Sequence, residues 1–94
     1  MTDLPPVQHD AGHQRFFLRL EGHEAELTYH LRDAALVIDH TGVPEAIGGR
    51  GVASRLVQAA FEHARGQGWQ VIPACSYARD WIARHPDYAS LVAG

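Results

Sequence analysis

Ala34-Ala35-Leu36-Val37-Ile38-Asp39-His40, then Thr41-Gly42-Val43-Pro44-Glu45-Ala46-Ile47-Gly48-Gly49-Arg50-Gly51, then Val52-Ala53-Ser54-Arg55-Leu56-Val57, is the stretch whose reading decides the fold. Its first part is apolar on both faces for most of its length, the pattern of a strand in the middle of a sheet. Its middle is a loop by composition, with proline and glycines. Beyond it, Ala53, Leu56, Val57, Ala60 and Ala64 fall on one helical stripe, Ser54, Arg55, Gln58, Glu62 and Arg65 fall opposite, and Gly66 and Gly68 supply the stop. A further apolar run, Trp69-Gln70-Val71-Ile72-Pro73-Ala74-Cys75, reads as a strand that Pro73 ends or kinks. Strand, helix, strand predicts a right-handed crossover between parallel neighbours.

Toward the N-terminus, Phe16, Leu18 and Leu20 alternate with Arg15, Arg19 and Glu21. After a turn at Gly22-His23, Ala25, Leu27, Tyr29 and Leu31 share one face, and Glu24, Glu26, Thr28, His30 and Arg32 the other. Short turns there and at Arg32-Asp33 make these strands antiparallel to each other and to the central one. Toward the C-terminus, Ala78, Trp81, Ile82 and His85 recur at helical spacing until Pro86. The expected fold is therefore a mixed α/β sheet: three antiparallel strands, a helix, a parallel strand and a second helix. Residues 1–12 lack periodicity and are expected to form a flexible arm, with 13–94 as a single domain. Trp69 and Trp81 are expected in the core.

Composition bounds the function. The chain has 94 residues, 46% of them hydrophobic and 20% charged, enough for one core and no separate catalytic lobe. Eight arginines, no lysine and eleven acidic residues give a net charge of -3, which argues against a nucleic-acid partner. No apolar run has the length of a membrane span, and the N-terminus does not read as a signal peptide, so a cytoplasmic protein with no membrane partner is expected. Cys75 stands alone, so no internal disulfide forms. His9 and His13 are four apart but carry no helical pattern, and no metal site is expected.

The segment Gly48-Gly49-Arg50-Gly51-Val52-Ala53 lies where a strand gives way to a helix. A loop of this kind aims backbone N–H groups and the positive end of a helix dipole at a phosphate. It lacks the Gly-Lys-Ser/Thr of a P-loop and the glycine spacing of a Rossmann fingerprint.

Four segments in order resemble the short members of the GCN5-related N-acetyltransferase superfamily: His40-Thr41-Gly42-Val43-Pro44-Glu45, Gly48 to Ala53, Val71-Ile72-Pro73-Ala74-Cys75, and Arg84-His85-Pro86-Asp87-Tyr88. The likeness runs from about Arg15 to Leu91. It implies a trimmed version of that fold, with acetyl-coenzyme A (or coenzyme A) as cofactor and an amine, small molecule or protein, as acceptor. The superfamily pattern of Arg or Gln followed by x-x-Gly-x-Gly/Ala fits Gly51 and Ala53, while Gly48 stands where Arg or Gln is usual. By that resemblance Thr41, Val43, Gly48, Gly49, Arg50, Gly51, Val52, Ala53, Ser54 and Arg79 are the expected coenzyme-binding residues. Pantetheine would lie between the third and fourth strands, against backbone around His40 to Val43. Cys75, His40 and Tyr77 are the candidate catalytic residues, for acyl transfer through a thiol, proton removal and proton donation. Each has a plainer reading: a small buried cysteine, a histidine continuing the Leu36 and Ile38 face into the core, and a packing tyrosine. Glu45 and Arg55 are lesser candidates, the first for an amine, the second for a phosphate. A module that binds coenzyme A or acyl-coenzyme A without transferring anything is the alternative function. The state, monomer or homodimer, is left open by the sequence.

Overall fold

In the computed structural model, which describes residues 4–93, five strands form one sheet in sequence order: β1 (Gln8–Asp10), β2 (Arg15–Leu20), β3 (His23–Arg32), β4 (Ala35–Gly42) and β5 (Gln70–Pro73). Neighbours are antiparallel from β1 to β4, and β5 runs parallel to β4. Helix α1 (Val52–Gln67) makes the crossover between that parallel pair, and α2 (Ser76–Ala83) follows β5. The expected mixed α/β architecture is the one observed.

One face of the sheet is dry. Phe16 and Leu18, then Ala25, Leu27 and Tyr29, then Leu36, Ile38 and Val71 pack against Leu56, Val57, Ala60, Phe61 and Ala64 of α1 and Ala78 and Trp81 of α2. A fully buried side chain of these types contributes roughly 1.5–3 kcal/mol, so this single layer of contacts carries most of the stabilisation. The opposite face is wet: Arg15 bonds Glu24 at 3.0 Å and Glu26 at 2.8 Å, Arg19 bonds Glu24 at 3.0 Å, and the Arg15 guanidinium lies 4.2 Å over the Phe17 ring. The domain thus has two layers, helices on one side of the sheet only. Among the described residues, none that is buried is polar or charged.

Four details depart from the sequence reading. Gln8–Asp10, inside the stretch expected to be a flexible arm, pairs with Arg15, Phe16 and Phe17 as an edge strand. Its anchor is His9, whose ring stacks on Phe16 at 4.2 Å and whose Nε2 lies 2.6 Å from the Tyr29 hydroxyl. Leu31, placed with the core-facing residues, lies at the end of β3 and is exposed. The second helix ends at Ala83, before Pro86, and Pro86–Leu91 forms a 3-10 segment whose Tyr88 packs on Phe61 and Trp81. His85 belongs to that corner, stacked 3.9 Å from Trp81, with Nδ1 2.7 Å from the Trp81 carbonyl.

The fourth departure moves a candidate residue. Across β3 and β4 the pairs run Tyr29 with Ile38 and then Thr28 with His40, leaving Asp39 as an extra residue in β4. A one-residue slip turns each following side chain to the other face. His40 therefore pairs with Thr28 on the wet face and is exposed, not continuing the Leu36 and Ile38 face into the core. Thr41 takes the inner side instead, opposite Leu27.

Candidate functional site

The parallel pair is short. Its last matched residues are Ile38 and Pro73, after which the Ile38 carbonyl accepts the N–H groups of both Ala74 and Cys75 at 3.1 Å and the chain turns into α2. β4 runs on to Gly42 with β3 on one side and no strand on the other. An opening at the C-terminal ends of parallel strands is where α/β sheets hold ligands.

Two helix N-termini border this opening. Cys75 is the N-cap of α2: its Sγ accepts the Ala78 N–H at 3.3 Å and lies 3.6 Å from Thr41 Oγ1. The thiol is half-buried and free. The slip at Asp39 is what brings Thr41 to it. Tyr77, in the first turn of α2, packs against the core. Arg79 folds back, its Nη1 donating to the Ala74 carbonyl at 2.8 Å.

The other N-terminus is that of α1. Gly49 has φ +75° and Gly51 φ +79°, and a Cβ on either would meet nothing within 4 Å, so glycine is needed there for backbone conformation alone. Gly48 is different: its φ is ordinary, but a Cβ would stand 3.3 Å from the Glu45 carbonyl oxygen. A side chain at this position, where the superfamily pattern has Arg or Gln, would need that carbonyl to give by a few tenths of an ångström. Gly51 is the N-cap of α1 and gives no side-chain cap, so the N–H groups of Val52, Ala53 and Ser54 in the first turn lack a side-chain partner from the cap. The Ser54 hydroxyl is already engaged, accepting the Trp81 Nε1–H at 2.8 Å. Arg50 is exposed and paired with Glu21, whose carboxyl it holds below the usual range by hydrogen bonding. Val43 packs at the edge of the core, Glu45 is exposed, and buried Ile47 anchors the loop between them and the glycines.

The structure thus brings Thr41 and Cys75 into contact and sets the glycine loop at the same end of β4, whereas His40 lies on the opposite face of the strand. His40 is not beside the thiol. Its ring instead lies against Gly42, where a Cβ would be 3.0 Å from His40 Nε2. Sequence reasoning missed two pairs near these residues: His30 Nδ1 with Asp39 Oδ2 at 2.8 Å on the wet face, and Glu21 with Arg50. Neither has a sequence signal, because the first depends on the register between β3 and β4 and the second on the glycine loop meeting the turn between β2 and β3. An open depression of about 300 Å³ lies between Pro6 and Val7 and the Arg55, Gln58, Ala59 and Glu62 side of α1. Its lining includes Arg55 but neither Cys75 nor the glycine loop. His9 and His13 make separate contacts, the first with Tyr29 and the second with Asp10 at 2.9 Å. Among the described residues no helix is long and apolar enough to cross a membrane.

The sequence pattern of the GCN5-related N-acetyl-transferase family matches residues 15–91. Protein NATD1 of Gallus gallus and protein NATD1 of Homo sapiens are each 32% identical over 83 residues, covering 85% of this chain and 76% and 74% of their own. The solution NMR structure of a GCN5-like protein from Staphylococcus aureus is similar with a TM-score of 0.75 at 32% identity, covering 100% of this chain and 92% of that one. With the match running from β2 through both helices and the glycine loop to the last 3-10 segment, the chain belongs to the GCN5-related N-acetyltransferase family, an acetyltransferase family.

Proposed function

We propose that the protein transfers an acetyl group from acetyl-coenzyme A to an amine by direct attack of the amine on the thioester. The observation that carries this reading is the open first turn of α1, entered through two left-handed glycines at the end of β4 where that strand has lost its parallel partner. The donors fit the cofactor. Backbone N–H groups of Val52, Ala53 and Ser54, at the positive end of the helix, would hold the pyrophosphate. The free edge of β4 from Asp39 to Gly42, continuing to Val43, would pair with the amides of pantetheine. Bound acetyl-coenzyme A supplies the thioester carbonyl; a backbone N–H on that edge would stabilise negative charge developing on its oxygen. The new C–N bond forms as the C–S bond breaks, the amine loses a proton, and the departing thiolate gains one. His40, which pairs with Thr28 on the wet face, is the proposed acceptor of the proton from an incoming amine rather than from Cys75. Tyr77 is the proposed donor to the thiolate.

The same contacts favour a second route at one point. Thr41 and the Ala78 N–H both meet Cys75 Sγ, and such donors stabilise negative charge on sulfur, which a cysteine acyl-enzyme requires. Intact mass after incubation with acetyl-coenzyme A separates the routes. We expect turnover without a stable acetyl adduct; an added acetyl group that vanishes in Cys75→Ala establishes the covalent route. The prior question is binding. A ligand at a hundredfold its dissociation constant stabilises by about 2.7 kcal/mol, so saturating acetyl-coenzyme A should raise the melting temperature by several degrees. No rise refutes the cofactor assignment, and a rise with no free thiol released over a broad amine panel favours the binding module that transfers nothing.

A further inference from the structure

We infer that Arg50 is an exchangeable phosphate ligand and that Glu21 is the residue it exchanges with: the Glu21 carboxylate holds the guanidinium in the free protein and surrenders it to a phosphate arriving at the glycine loop. The inference rests on the reading of that loop as the phosphate site.

Arg50 lies between Gly49 and Gly51, both in left-handed backbone, and is the loop's sole arginine. Glu21 comes from the other side of the molecule's chain order, in the two-residue turn Glu21-Gly22 that joins β2 to β3 after the pair Leu20 and His23. Both turn residues have positive φ, +53° and +79°. That geometry suits a tight hairpin, and asparagine or aspartate is its usual first residue. A longer acidic side chain at this position reaches the loop, where its Oε2 meets Arg50 Nη1. The contact uses one nitrogen of a guanidinium that has three. Arg50 is 36% and Glu21 57% exposed at the side chain, so the pair is solvated and weak, as exposed ion pairs are. A phosphate offers more charge and accepts two parallel N–H bonds, which a singly bonded carboxylate does not match. The hydrogen bond lowers the Glu21 carboxyl below the usual range, so the carboxylate stays ionised at neutral pH and remains a competitor. Released from Arg50, it leaves a negative charge beside the phosphates. Glu21 therefore weakens coenzyme binding most at low salt and flattens its dependence on ionic strength, because salt screens the competing carboxylate as well.

The test is a double-mutant cycle on coenzyme A binding, measured calorimetrically on the full chain at low and high salt. Glu21→Gln should tighten binding by about threefold, the scale of an exposed pair. Arg50→Gln should weaken it, and Glu21→Gln added to Arg50→Gln should have much less effect than alone. Glu21→Asn, which suits the positive φ, should behave as Glu21→Gln does and guards against a turn defect. Unchanged or weaker binding in both Glu21 variants overturns the inference. So does equal tightening with and without Arg50, which would be plain repulsion between carboxylate and phosphate. If neither the parent chain nor any variant binds coenzyme A, the phosphate reading of the loop falls and the inference with it; binding without coupling removes the inference alone.

Discussion

The two ends of α1 are built in opposite ways. At its C-terminus Gly68 turns left-handed at φ +77°, its N–H returns to the carbonyls of Ala64 and Arg65, and the Trp69 N–H bonds Ala64 at 2.8 Å. Rings then seal that end: His63 lies 4.4 Å from His9 and 5.6 Å from Trp69, with Phe16 and Tyr29 beyond. At the N-terminus Gly51 is left-handed too, yet no side chain caps the first turn. One end satisfies its backbone and the other leaves donors free. The same residue type in the same conformation thus closes a helix at one end and exposes it at the other, so the neighbours decide the role.

Predictions bear on that contrast. Phe16→Ala at the closed end removes a buried ring and should cost about 3–5 kcal/mol in urea denaturation, while the folded fraction binds coenzyme A as the parent does. Loss of affinity would show that the ends are not separate. Gly51→Ala and Gly68→Ala form a matched pair, since each forces an L residue into left-handed backbone at a cost of roughly 1–2 kcal/mol. Both should lower the melting temperature similarly, but Gly51→Ala alone should impair coenzyme binding. Equal effects on binding would erase the distinction. The N-terminus of α2 is an intermediate case, capped by a thiol: Cys75→Ala should cost about 1 kcal/mol, and Cys75→Ser, which restores a cap, should cost less in the same melt. A destabilised serine variant would mean that packing and not capping holds Cys75.

The smallest effect is a pH dependence confined to the closed end. Burial, and then the neighbouring His63, hold the His9 pKa below its ordinary value of 6.5, with Asp10 opposing and the Tyr29 hydroxyl alongside. The unfolded chain then binds more protons than the folded one in this range. The contribution is present above about pH 6.5 and is lost as pH falls through the lower folded value. His9→Gln should flatten the fall in melting temperature between neutral and mildly acidic pH; an unchanged slope contradicts this assignment.

Most of the sheet was legible because alternation reports burial directly: Ala25, Leu27 and Tyr29 face the core as the period-two pattern predicts. The helical stripe of α1 was legible for the same reason, although Phe61 and Val52 join it. β1 was not, because its three residues are polar by composition and its anchor is a histidine acting as an aromatic ring. At the site, the glycine loop could be read from local conformational demands, which act within a few residues. The placement of His40 and Thr41 could not, since it follows from pairing with residues 27 and 28. Cys75 was identified at the strand end, but its partner Thr41 depends on that same pairing.

The extra residue at Asp39 carries its information by presence rather than by identity. Its carboxylate meets an exposed histidine, so replacement changes a surface contact, and deletion would straighten the strand with His40 still opposite Thr28 and Thr41 still opposite Leu27; a residue added between Asp39 and His40 would instead give His40 the inward place opposite Leu27. An insertion beyond the bulge is therefore the change this strand tolerates least, a constraint invisible to any scale that weighs one side chain against another.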